Sequence, residues 1–256
     1  MTQDLAELDQ LWRRLDVALV TPPAVGSEAE RALQDRLRAY AHDQAATALR
    51  AALDHLRAWR ALLRAGEVPT YAHISLLRTS HEAGLLAYWL VEPSIDSDTH
   101  LARGVAAQAA DYDERRKFEQ ASNMPAPPTG KLAVDRLADL MDAAQAAGLA
   151  RLDRTGKRIL TVNVPATVEL FDLYERARPG TKAQYLYRLY SGYAHAKQWA
   201  VMLWAQQQAP HDDRGRTIAK TEASDLLAVF ATRRAMTAAG RAVTALEQYR
   251  SVDSGS

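Results

Sequence analysis

There is no cysteine in the 256 residues. That absence excludes disulfides, thiolate nucleophiles, iron–sulfur clusters and cysteine-ligated zinc together. An excess of charge is also lacking, since 32 basic and 31 acidic side chains nearly cancel. No global field then favours nucleic acid or an anionic membrane, and binding to either would need a local patch. Lysine is scarce, six residues against 26 arginines, while alanine is abundant; this is the coding habit of a GC-rich bacterial genome and not a mechanism. The longest apolar run, Ala83 to Val91 with Gly84 inside it, falls far short of a membrane span. The polar, acidic start Met-Thr-Gln-Asp does not suit a signal peptide. The expectation is a cytoplasmic protein with no membrane partner.

Familiar ligand sets are missing as well. No Glu-x-x-His or His-x-x-x-His pair occurs, so neither a di-iron bundle nor a zincin site has its ligands. No Gly-x-Gly-x-x-Gly or Walker-type loop signals a nucleotide cofactor. Neither a cofactor nor a metal is therefore expected. Asp96, Asp98 and His100 could contact a cation but read more simply as a helix cap, and His211-Asp212-Asp213 reads as a polar loop.

Helical periodicity is what the chain does have. Leu5, Leu8, Leu11, Trp12 and Leu15 share one side of a helix over residues 4–18. Thr21-Pro22-Pro23 and Gly26 break it, and Ser27 with Glu30 three residues on caps a helical pattern that continues to Arg64. Further helices are expected over 70–91, about 96–122, 131–147, 166–177, 181–207 and 217–249. Prolines 125, 127 and 128 make 124–130 a hinge or crossover, and residues 251–256 form a disordered Ser-Gly tail. Only 149–164 is strand-like, with Thr155-Gly156 as its turn. The helix before it and the Arg151, Arg154, Lys157 and Arg158 charges would suit a winged-helix domain, but the upstream helices such a domain needs are replaced by the proline-rich segment. The expected fold is all-α: one helical domain over 1–250, about seven or eight helices, with a small β-hairpin insertion.

Two helices, 70–91 and 181–207, are apolar around most of their circumference, which places them centrally. Each keeps one polar line. On the first, Arg78 and Glu82 stand at i and i+4 and can pair, either as an architectural ion pair or as a group that positions something else. On the second, Tyr187, Ser191 and His195 lie at i, i+4 and i+8, and Arg188 projects within about 20° of His195. Gly192 between them would let another helix or a ligand approach closely. Such a set could do acid–base work on a phosphate or an acyl group; the plainer reading of His195 is a hydrogen-bonded core residue. The two polar lines are expected to face each other or a shared cleft.

The stretch Tyr187-Arg188-Leu189-Tyr190-Ser191-Gly192-Tyr193-Ala194-His195, followed by Trp199, resembles a pattern in uncharacterised actinobacterial helical proteins. Leu77-Arg78-Thr79-Ser80-His81-Glu82-Ala83, with Trp89-Leu90 and Pro93, is similar to their other recurrent segment. More distantly, Arg188 and His195 resemble the Arg-x(4–6)-His motif of the HEPN superfamily, which includes metal-independent ribonucleases of toxin–antitoxin and phage-defence systems. Leu189 stands where those proteins usually have a polar residue. The resemblance implies RNA as substrate, a homodimer, His195 as acid–base residue and Arg188 as stabiliser of phosphorane-like charge. Two classes stay open: such a ribonuclease, or a non-catalytic bundle that binds a partner protein or small ligand in a regulatory or defence role.

Overall fold

Helix ends in this chain are set by side chains and by two backbone motifs. The computed structural model describes residues 2–66, 68–69, 71–122, 130–175, 182–204 and 225–251. Among these, ten helices and one two-stranded antiparallel sheet make an all-α architecture with a small β-hairpin. The helices are α1 (Thr2–Val20), α2 (Glu28–Gln34), α3 (Arg36–Arg64), α4 (Ala72–Leu90), α5 (Ser97–Ser122), α6 (Ala133–Ala146), α7 (Thr167–Tyr174), α8 (Tyr185–Ala194), α9 (Gln198–Trp204) and α10 (Asp225–Arg250). The strands are β1 (Ala150–Leu152) and β2 (Arg158–Leu160). The expected features at 124–129, 176–177, 181, 205–207, His211-Asp212-Asp213, 217–224 and 252–256 lie outside the described residues.

Two corrections raise the helix number from eight to ten. The pattern from Ser27 to Arg64 is not continuous, because Asp35 is extended (φ −135°) and its Oδ1 accepts the Leu37 N–H at 2.8 Å, starting α3 afresh. The expected helix 181–207 is likewise split. At its break Ala196 takes φ +49°. The Ala196 N–H bonds the Tyr193 carbonyl at 3.0 Å and the Lys197 N–H bonds the Gly192 carbonyl at 2.7 Å, which is a Schellman ending. Helix α7 is shorter than the sequence pattern, since Glu175 is already extended.

The chain falls into two compact units. The first comprises 1–20, 47–88 and 166–244, and the second 21–46, 89–165 and 245–256. In the first, Leu8, Leu11 and Leu15 of α1, Leu53, Leu56 and Trp59 of α3, Ile74, Leu77 and Leu85 of α4, and Phe171 of α7 are buried. Burying each such side chain contributes about 1.5–3 kcal/mol. Trp59 donates its indole N–H to Thr232 Oγ1 at 2.8 Å, satisfying the polar tip of a fully buried ring. Gly84 lets α4 approach α10: a Cβ there would lie 3.0 Å from the Ala239 nitrogen. In the second unit Val105, Ala109, Tyr112, Leu140, Ala144 and Ala150 form a core that joins α5, α6 and β1. Ala150 pairs with Leu160 across the hairpin. The turn is held by Asp153 Oδ1, which accepts the N–H groups of Thr155 and Lys157 at 2.8 and 3.0 Å.

Asp96 caps α5, accepting the Thr99 N–H at 2.7 Å. The basic run Arg115-Arg116-Lys117 is offset on its own helix by Glu119, Asp113 and Glu114. No helix among the described residues is long and apolar enough to cross a membrane.

Candidate functional site

The polar line of α4 divides into an outer and an inner part. Outside, Arg78 Nε donates to Glu82 Oε1 at 2.6 Å, and both side chains are partly buried. The Arg78 guanidinium also sits over the Tyr187 ring of α8, 5.5 Å from its centroid, a cation–π contact. Three of the six residues singled out in the sequence, Arg78, Glu82 and Tyr187, are thereby brought together.

Inside, one position before Glu82, lies a group that the sequence reading passed over. His81 is fully buried, and its Nε2 lies 2.8 Å from Glu175 Oε1, just past the end of α7. Arg234 of α10 places Nη1 2.9 Å from the other oxygen, Oε2; the charges are close, but the geometry is out of line for a hydrogen bond. The rings of Phe171 and Tyr190 wall His81 at 4.7 and 5.9 Å. Burial by itself raises the Glu175 pKa, yet the His81 hydrogen bond and the charges of His81, Arg234 and Arg241 outweigh it and leave the carboxyl below its ordinary value. Burial drives the Tyr190 phenol far upward, reinforced by the Glu175 charge, so it stays protonated. His81 Nδ1, Ser80 Oγ and the Tyr190 hydroxyl have no hydrogen-bond partner among the described residues. A group sealed this way cannot meet a polymer. It ties α4 to the end of α7 and to α10, and removing one member would leave buried charge exposed to a poor dielectric.

On α8 the surroundings are reversed. Arg188 and His195 are exposed, while Ser191 and Tyr187 are half-buried. Seven residues along a helix is about 10 Å of rise and nearly two whole turns, so Arg188 and His195 project to the same side. Arg188 is held back toward the helix start by two hydrogen bonds to Gln184 Oε1, at 3.1 and 2.9 Å. His195 stands at the C-cap, its backbone N–H bonded to the Ser191 carbonyl at 3.0 Å. The Schellman ending turns the chain back, and α9 packs on Gly192, where a Cβ would lie 2.6 Å from Ala200 Cβ and 2.8 Å from Trp199 Cζ2. Gly192 therefore serves the approach of a helix. Lys197 is exposed beside His195, and Trp199 is 53% and Leu203 62% exposed on α9.

Chemically the exposed surface offers an imidazole for proton transfer, a guanidinium and an ammonium for anionic oxygen, and an indole face. Among the described residues no group of three His, Asp or Glu could hold a metal ion. The missed residues gave only a faint signal: His81 lies on the same helix as Arg78 and Glu82, but its partner Glu175 is 94 residues away in sequence, and Arg234, which pairs with Glu175, is a further 59 beyond that. No protein-family model, curated protein or solved structure matches the chain.

Proposed function

We propose that the chain is a metal-independent ribonuclease of HEPN type, acting in the cytoplasm as part of a bacterial toxin or phage-defence system, with its chemistry on the Arg188–His195 surface. The observation that carries this reading is the exposure of both side chains on one side of α8, next to exposed Lys197 and Trp199. An RNA strand needs such access, with cations for its phosphates and an aromatic face for its bases. His195 accepts the proton of a 2′-hydroxyl as that oxygen attacks the adjacent phosphorus, Arg188 leaves Gln184 and steadies the charge on the phosphorane oxygens, and the P–O5′ bond then breaks with the departing 5′-oxygen taking a proton back from the His195 imidazolium. The products are a 2′,3′-cyclic phosphate and a 5′-hydroxyl. A homodimer would bring two such surfaces to one strand. Ser191, half-buried between them, and the Arg78–Glu82 pair with Tyr187 position α8.

The test is cleavage of single-stranded RNA in the presence of EDTA, with the termini of the fragments identified. Cyclic-phosphate products from wild type, lost in His195→Ala and Arg188→Ala, support the reading. Equal behaviour of all three folded proteins removes it. The second reading, a non-catalytic bundle that binds a partner protein or small ligand, is favoured by one feature: exposed Trp199 and Leu203 stand at i and i+4 on α9, an apolar stripe of the kind that seats a partner helix. Under that reading Trp199→Ala disrupts association while no RNA is cut.

A further inference from the structure

Tyr112 carries the one polar tip in the core that joins α5 and α6, since the other buried members of that cluster are Val105, Ala109, Leu140, Ala144 and Ala150. Its ring is buried there, with 8% of the residue exposed, and partly buried Tyr40 of α3 packs against the same cluster. Both tyrosines line a cleft of about 390 Å³ that α3, α5 and α6 build within the second unit. That volume is at the small end for ligand sites, closer to one ring with a substituent than to a nucleotide.

The cleft holds more positive charge than it cancels. Arg36, Lys131 and Arg136 line it against one carboxylate, that of Asp139. Lys131 Nζ takes that carboxylate at 2.6 Å, which leaves the two guanidiniums. Arg136 donates from Nε to the Lys131 carbonyl at 3.1 Å. Glu119 feels the Arg136 charge, but its two oxygens are committed to Arg115 Nε and to the Ala133 N–H, each at 2.8 Å. Arg36 forms no ion pair among the described residues, and the groups at its guanidinium are the phenols of Tyr40 and Tyr112. Residues 123–129, which precede Gly130 in the chain, contain no ionisable side chain.

Hydrogen-bond chemistry says what such a cleft would hold. A guanidinium can only donate, so the phenol oxygens beside Arg36 accept, and their O–H hydrogens point elsewhere. One hydroxyl can donate to the other, which leaves one O–H of the pair for an outside acceptor. Burial first, and then the neighbouring Tyr112, raise the Tyr40 pKa, so Tyr40 keeps the proton it would donate. A charged acceptor that offers two oxygens to one guanidinium is a carboxylate. With Asp139 also in the cleft, a monoanion meets less repulsion than a phosphate dianion. Leu37, Leu140 and Ala143 supply an apolar side.

We infer that this cleft binds a monocyclic aromatic carboxylate, its oxygens on Arg36 and the Tyr40–Tyr112 hydroxyls and its ring against Leu37 and Leu140, with Arg136 adding attraction from α6. The site is separate from the Arg188–His195 surface and does not depend on the ribonuclease reading.

Calorimetric titration of the full chain with phenylacetate, phenylacetamide and inorganic phosphate tests it. Phenylacetate is expected to bind saturably, and phenylacetamide, of the same shape without the charge, at least about tenfold more weakly. Arg36→Gln, at an exposed position, should lose about the same factor with no fall in melting temperature. Tyr112→Phe should lose about fivefold. Ala143→Phe, filling the cleft from an exposed position, should abolish binding. His195→Ala should bind phenylacetate as wild type does. No saturable binding at millimolar phenylacetate, equal affinity for phenylacetamide, or undiminished binding by folded Arg36→Gln or Ala143→Phe would each overturn the site. So would inorganic phosphate binding as tightly as phenylacetate and displacing it, which would show a bare cation and no shaped cleft.

Discussion

The inner face of α4 and the outer face of α8 carry similar residues in opposite surroundings. His81 is sealed among Phe171, Tyr190 and the Glu175–Arg234 pair, whereas His195 stands exposed at a helix end with Arg188 two turns earlier on the same side. The difference lies in what each histidine is committed to. His81 spends its Nε2 on a buried carboxylate, and that bond helps to keep the carboxylate ionised against the cost of burial. His195 is held through its backbone, by the Schellman ending, and its ring faces solvent. A histidine in the first setting stabilises; one in the second is available to react.

Breaking the inner cluster should give the largest effect. His81→Ala leaves Glu175 buried without its hydrogen-bond partner, with the misaligned Arg234 as the ion pair that remains among the described residues, which should cost about 3 kcal/mol in chemical denaturation. His195→Ala and Arg188→Ala, on the exposed side, should each stay within about 0.5 kcal/mol of wild type. A His195→Ala loss as large as that of His81→Ala would erase the distinction between the two faces.

Acid sharpens the same contrast at intermediate size. His73, fully buried against Trp59 and donating from Nδ1 to the Pro69 carbonyl, has its pKa lowered, mainly by burial. His100 in the second unit is lowered for the same first reason. A histidine whose folded pKa lies below its unfolded one contributes stability that is complete above the unfolded value, near pH 6.5, and is lost as the pH falls through the folded value. Glu175, also lowered, adds a further loss below its ordinary range of about pH 4.3. The melting temperature should therefore hold from pH 8 to about 6.5 and decline below it. His73→Gln should flatten the first part of that decline; an unchanged profile in this variant would show that His73 does not carry it.

A smaller effect is expected where α8 ends. Alanine in the left-handed region is strained by roughly 1–2 kcal/mol, so Ala196→Gly should stabilise the fold by up to about 1 kcal/mol, after glycine's larger unfolded-state entropy is subtracted. A destabilised Ala196→Gly, read from the denaturation midpoint, would mean the Schellman ending does not form.

That residue also explains much of what the sequence could and could not reveal. Helix α6 ends by the same motif as α8, with Gly148 at φ +75° and the Leu149 N–H bonded to the Ala144 carbonyl at 2.8 Å. There the glycine announces the stop, and the helix end and hairpin were readable. At Ala196 the best helix former occupies the left-handed position, so nothing in the local sequence separates α8 from α9. Asp35 hid the start of α3 similarly, because an aspartate among helical residues also reads as an exposed surface position. The Arg78–Glu82 pair was legible because i, i+4 spacing is a local property. The His81–Glu175–Arg234 cluster was not, because it is assembled from three helical segments and its carboxylate lies just beyond a helix end. Gly192 could be flagged as a point of close approach, but the sequence did not show that α9 would be what approaches.

The most direct measurement is RNA cleavage by wild type beside His195→Ala, both shown to be folded and both in EDTA. Cyclic-phosphate fragments from wild type, with a rate at least about 100-fold lower in His195→Ala, are the predicted result. The same cleavage rate in both proteins, or none in either, would contradict it.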